Sequence, residues 1–181
     1  MPTMTRDLLD SIAKHRAELL SLAGRFGRKD IPYADIRVEA VDAKSAYAEN
    51  GMPKEAGSRR HLSVGIRVLA EAGGLRSPGY WGAILGPEEG ARIGRRAAEG
   101  LAVAAERARH NARAKAASRK RFPALGASMT STELAPVEAC RDTVAARYKI
   151  DPVDVSEGKV ADAAAEATKL ALSVDKKISY A

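Results

Sequence analysis

The chain has 181 residues, 30 of them lysine or arginine against 23 aspartate or glutamate, and a formal net charge of +7. That length suits one domain with a real core. An apolar fraction of 45% that draws heavily on alanine, with aromatics at only 4%, points to helix packing through small side chains. No apolar run reaches the roughly 18 residues needed to cross a bilayer, and the first residues lack the basic-then-apolar order of a signal peptide, so a cytoplasmic protein is expected. A single cysteine, Cys140, excludes an internal disulfide and a paired-cysteine metal site.

Residues 6–23 read as a helix, with Thr5 as cap, Asp7 at the positive end of the dipole and Gly24 as its stop. Leu8, Ile12, Leu19, Leu20 and Ala23 form its apolar stripe. At Tyr33 the period changes to two. Ala34, Ile36, Val38 and Ala40 alternate with Asp35, Arg37 and Glu39, which predicts a strand with one dry and one wet face. Strands are expected at 44–49, 52–56, 62–69 and 75–81, joined by the turn dipeptides Asn50-Gly51 and Gly73-Gly74. Pro53 and Pro78 suit edge or irregular positions. The whole reads as an α+β domain: an antiparallel meander of four to five strands, packed by the N-terminal helix and by a long alanine- and arginine-rich helix.

That long helix starts at Pro87, which suits a first helical position, followed by Glu88 and Glu89 in the first turn. Ile93, Ala97, Leu101, Ala104, Ala105, Ala108 and Ala112 fall within one arc. Phe122-Pro123 ends it and residues 126–132 read as a loop. Ser156 caps a final helix through about residue 174, whose stripe is Val160, Ala164, Ala167, Leu170, Ala171 and Val174. The expected organisation is a domain over 1–125, then a linker and helical tail over 126–181.

Chemistry-bearing groups are sparse. His15, His61 and His110 are too far apart in sequence to share one helix face around a metal, and Cys140 has no motif around it. Asp35 and Glu39 share a strand face with Arg37 between them, which reads as a surface ion-pair row rather than an acid/base pair. Trp81, the only tryptophan, reads as a core or interface anchor covering one end of the sheet. Gly82, Gly86, Gly90 and Gly94 recur every four residues without a phosphate-loop ending, and close helix-to-sheet packing accounts for them. No catalytic, cofactor or metal-ligand residue is assigned.

The charge is concentrated. Residues 92–121 hold ten basic side chains against Glu99 and Glu106, more positive charge than the chain carries as a whole. Arg107, Arg109, Arg113, Lys115, Arg119, Lys120 and Arg121 form a candidate nucleic-acid surface, which would be electrostatic and sequence-indifferent. No aromatic residue interleaves them to stack bases, so a solvated helix face is the stronger reading.

Several motifs recur in a recognisable order: YADIRVE at 33–39, Asn50-Gly51, VGIRVL at 64–69, Gly73-Gly74, then LAPVE at 134–138 and DPVDVS at 151–156. This order resembles the N-terminal part of the TldD/PmbA family of zinc metalloproteases. The resemblance implies a cytosolic, dimeric peptidase that degrades unfolded peptides in an enclosed chamber. Its metal-binding His-Glu-x-x-x-His helix lies further along than these 181 residues extend, so zinc is expected only in a full-length relative and none in this chain. The residues present would then serve subunit contacts, with a TldD/PmbA-like partner, and chamber walls. A stand-alone binding module using the basic helix on nucleic acid or another acidic partner is the alternative, and a non-catalytic subunit that pairs with a full-length relative is a third reading.

Overall fold

The structure is a computed structural model that describes residues 10, 12–25, 30–126, 130–135, 144, 147 and 149–181. Its order is α1 (Arg16–Gly24), β1 (Tyr33–Glu49), β2 (Met52–Ala72), β3 (Leu75–Leu85), a 3₁₀ turn (Pro87–Arg92), α2 (Ile93–Arg121), one helical turn at Pro123–Gly126, a second 3₁₀ turn (Pro152–Asp154) and α3 (Glu157–Val174). The strands form one antiparallel sheet in the order β1-β2-β3. No described helix is long and apolar enough to cross a membrane.

The sheet has three long strands where the sequence suggests four to five short ones. The expected breaks near 41–43 and 57–61 are places where the dry/wet alternation lapses, not where the backbone stops pairing. Arg60 and Asp42 lie there instead, as a half-buried ion pair between β2 and β1. Both turns are as expected: Asn50 and Gly51 have φ of 48° and 80°, and Gly73 and Gly74 have 57° and 73°, the left-handed pairs that tight hairpins require.

The chain divides into two compact units, and β1 and β2 run through both. The larger unit comprises Arg6–Ala40 and Leu62–Cys140. Its core joins Leu62, Val64, Ile66, Val68 and Ala70 of β2 to Ile93, Ala97, Leu101, Ala104, Ala105, Ala108 and Ala112 of α2. This is the helical arc read from the sequence. Ala34, Ile36 and Val38 of β1 pack on the same core, as does Trp81.

Alanine lets α2 lie close on the sheet, and glycine completes the fit. A Cβ on Gly79 would collide with the Ala104 carbonyl and the Ala108 amide, while one on Gly100 would collide with the Trp81 ring. The close helix-to-sheet approach therefore falls at Gly79 and Gly100, while in the 82/86/90/94 series Gly86 and Gly94 instead make room for the Glu88 and Glu18 carboxylates. A Cβ on Gly82 meets only the Val64 carbonyl, at an ordinary 3.6 Å.

Within the 6–23 stretch expected as one helix, the described residues are helical on both sides of a turn at His15, Asp10 among them. Residues 12–14 are helical, His15 interrupts them, and α1 resumes at Arg16. The His15 ring bonds the Glu18 carboxylate at 2.9 Å. Leu22 enters the core with Ile12 and Leu19 beside it, whereas Leu20 is 63% exposed and leaves the stripe assigned to it. Thr5, Asp7 and Leu8 lie outside the described residues, as does Cys140.

The smaller unit comprises Met1–Thr5, Val41–His61 and Arg141–Ala181. Within it the DPVDVS segment has a clear role. Asp151 accepts a hydrogen bond from the Val153 amide, Ser156 accepts one from the Lys159 amide to cap α3, and the Lys44 ammonium donates to the carbonyls of Pro152, Val153 and Val155 at 3.3, 2.7 and 2.6 Å. One lysine thus gathers three carbonyls of the turn, of which that of Pro152 also accepts from the Val155 amide at 3.3 Å. The buried face of α3 is Ala161 and Ala165, with Thr168 taking the Gly51 amide at 2.8 Å. Leu170 and Val174, assigned to the buried stripe by periodicity, are 68% and 74% exposed. Small side chains win that face because the helix passes so near the hairpin turn that a Cβ on Gly51 would run into Lys169.

Candidate functional site

The polar features of the larger unit gather at β3, an outer strand of the sheet. Arg76, Pro78 and Tyr80 direct their carbonyls away from β2, and each is met by a side chain of α2. Arg107 donates to the Tyr80 carbonyl at 2.8 Å, Asn111 to Pro78 at 2.9 Å and Lys115 to Arg76 at 3.4 Å. The spacing explains the match. Four helical residues advance about 6 Å, and two strand residues advance about 6.6 Å, so a row at i, i+4 and i+8 keeps step with alternate strand residues. Pro78 has no amide to satisfy, and the Arg76 amide bonds Ser131 Oγ at 2.9 Å while its carbonyl also accepts from the Thr132 amide at 3.1 Å. This half of the outer edge is closed to strand addition.

Between that edge and α2 runs a groove of about 810 Å³, lined by Ser77, Tyr80, Glu106, Arg107, His110 and Asn111 among others. On the wet face of the sheet a smaller hollow of about 220 Å³ lies over Gly65, between Asp35, Arg37, Arg67 and Tyr80. Arg67 forms its rigid wall. Its Nε and Nη2 each lie 2.8 Å from Asp35 Oδ2, Nη2 also reaches the Tyr33 hydroxyl at 3.2 Å, and the guanidinium stacks 5.3 Å from that ring's centre. The Tyr33 hydroxyl and the Asp35 carboxylate both favour the charged guanidinium.

Of the within-strand ion-pair row expected on β1, only the Asp35–Arg37 half is present. Asp35 turns to Arg67 on the neighbouring strand, with Arg37 a looser partner at 3.7 Å, and Glu39 accepts from Ser63 Oγ at 3.3 Å. Cross-strand pairing was invisible without the register, since Arg67 lies 32 residues from Asp35.

The candidate nucleic-acid residues are not brought together as one free surface. Arg107 and Lys115 serve the β3 edge, Arg109 pairs with Asp30 at 2.9 Å, and Arg121 lies over the Phe122 ring. Arg113, Arg119 and Lys120 are exposed and bond to nothing among the described residues. Asn111, the middle member of the edge row, carried no signal in the sequence beyond its four-residue offset from Arg107 and Lys115.

No three His, Cys, Asp or Glu side chains converge among the described residues, so they offer no ligand set for the zinc that the family resemblance implies. Residues 34–112 match the family model described as PmbA/TldA metallopeptidase domain 1. No curated protein and no solved structure matches the chain.

Proposed function

We propose that this chain serves as the non-catalytic first region of a TldD/PmbA-like metallopeptidase, supplying subunit contacts and walls of a substrate chamber while another region carries the metal. The observation that carries this reading is the family match over 34–112, which spans the three strands and most of α2. The geometry is in keeping with it: the polar groups of this segment are spent on holding the sheet edge and the wet face, and metal-assisted hydrolysis needs an open metal with an activated water. The chain alone, incubated with reduced and carboxymethylated casein, is expected to leave it uncut. Chelator-sensitive cleavage would contradict the reading.

The nucleic-acid alternative loses support because Arg107, Arg109 and Lys115 already hold protein partners. Binding to duplex or single-stranded DNA is expected to be weak and gone near physiological salt. Submicromolar affinity there, abolished by replacing Arg113, Arg119 and Lys120 together, would favour the alternative.

A further inference from the structure

The row of donors that closes the β3 edge stops at Arg107. Continued toward the helix start, the same row reaches Val103 and Glu99, neither of which can donate to a carbonyl, and Glu99 is engaged by Arg95 and Arg96. The register fixes what is left open. Arg76, Pro78 and Tyr80 stand opposite Glu71, Leu69 and Arg67 with their carbonyls turned outward, so by alternation Gly82 and Ile84, opposite Gly65 and Ser63, turn their amides and carbonyls outward too. Among the described residues nothing bonds to those four groups. Ile84 is also 75% exposed.

We propose that Gly82–Leu85 is a self-complementary edge at which a second copy of this chain adds antiparallel to β3, with its dyad at Ala83. In that register Gly82 faces Ile84 of the other copy and Ile84 faces its Gly82, exchanging four backbone hydrogen bonds across the dyad. Each isoleucine then fills the space that the opposing glycine leaves, between Tyr80 and the first copy's own Ile84. The same register brings Gly86 of one copy level with Tyr80 of the other. That is where the strand ends and the Arg107 closure begins, so the two features do not compete. This names a surface for the subunit contacts proposed above, taken here as contacts between two copies of this chain, and rests on that reading. A paired segment this short falls below the area of stable obligate dimers, so a reversible, concentration-dependent dimer is expected.

Swapping knob and notch tests it. Gly82→Ile sets isoleucine against isoleucine, and Ile84→Gly sets glycine against glycine. Each single variant is expected to weaken dimerisation by about tenfold or more in sedimentation equilibrium, and Gly82→Ile/Ile84→Gly is expected to return it to within about threefold of the native chain. The Gly82 position has room for a side chain, and a β-branched residue suits an edge strand, so thermal unfolding of the Gly82→Ile monomer should match the native chain. Ile84→Asp, which places two like charges near the dyad, should abolish the dimer. A strictly monomeric native chain would overturn both this surface and the self-contact. A dimer indifferent to Ile84→Asp and Gly82→Ile would overturn the surface alone and leave the self-contact standing.

Discussion

Gly79→Ala is expected to be the most damaging single methyl group that can be added to this protein. The new Cβ has no side chain to push aside: it meets the Ala104 carbonyl on one side and the Ala108 amide on the other, both inside α2. Relief requires the helix to lift from β3, which breaks the seating of Leu101, Ala104, Ala105 and Ala108 and pulls Arg107 and Asn111 from the carbonyls of Tyr80 and Pro78. Overpacking of a well-filled core costs about 1–3 kcal/mol, and two rigid backbone atoms place this case at or above the upper end. Against a total stability of about 5–15 kcal/mol, a large loss in the midpoint of urea unfolding is expected. Gly82→Ala, three residues along the same strand, is the control and should be nearly silent. Equal midpoints for the two variants would show that α2 does not lie where it is described.

Asp42→Ala is the second large effect, in the smaller unit. Asp42 is 11% exposed and Arg60 19% exposed. Arg60 Nε stands 3.1 Å from the carboxylate, off the line of a hydrogen bond, and Nη2 is buried without a bond. Removing the carboxylate leaves a largely buried guanidinium without that counter-charge, a change that costs about 3–5 kcal/mol at buried pairs. Because Arg60 retains some exposure, the lower end of that range is expected. The double variant Asp42→Ala/Arg60→Met removes the stranded charge and should recover most of the loss. If the double variant is as unstable as the single one, the cost came from packing rather than from an uncompensated charge.

The sequence made the helical arc of α2 legible because seven apolar positions at helical spacing meet a single flat sheet. It made both hairpin turns legible because Asn-Gly and Gly-Gly have few other uses. Strand number was not legible. Alternation reports which face is dry, and it lapses wherever a strand carries polar groups on both sides, as β1 and β2 do around Asp42 and Arg60. The buried face of α3 was misread for a related reason: periodicity favours the larger side chains Leu170 and Val174, yet close passage past the Asn50-Gly51 turn selects Ala161 and Ala165. The arginines of α2 looked alike in sequence. Only the matched rise of helix and strand separates Arg107 and Lys115, which hold the sheet edge, from Arg113, Arg119 and Lys120, which face solvent.

The division of labour proposed for this chain, structure here and metal chemistry elsewhere, is tested most directly by elemental analysis of the purified chain after dialysis against trace zinc. The expected result is far less than one zinc per chain, with no change in thermal stability on adding a chelator. One tightly held zinc per chain, removed by chelator together with a fall in the unfolding temperature, would contradict it.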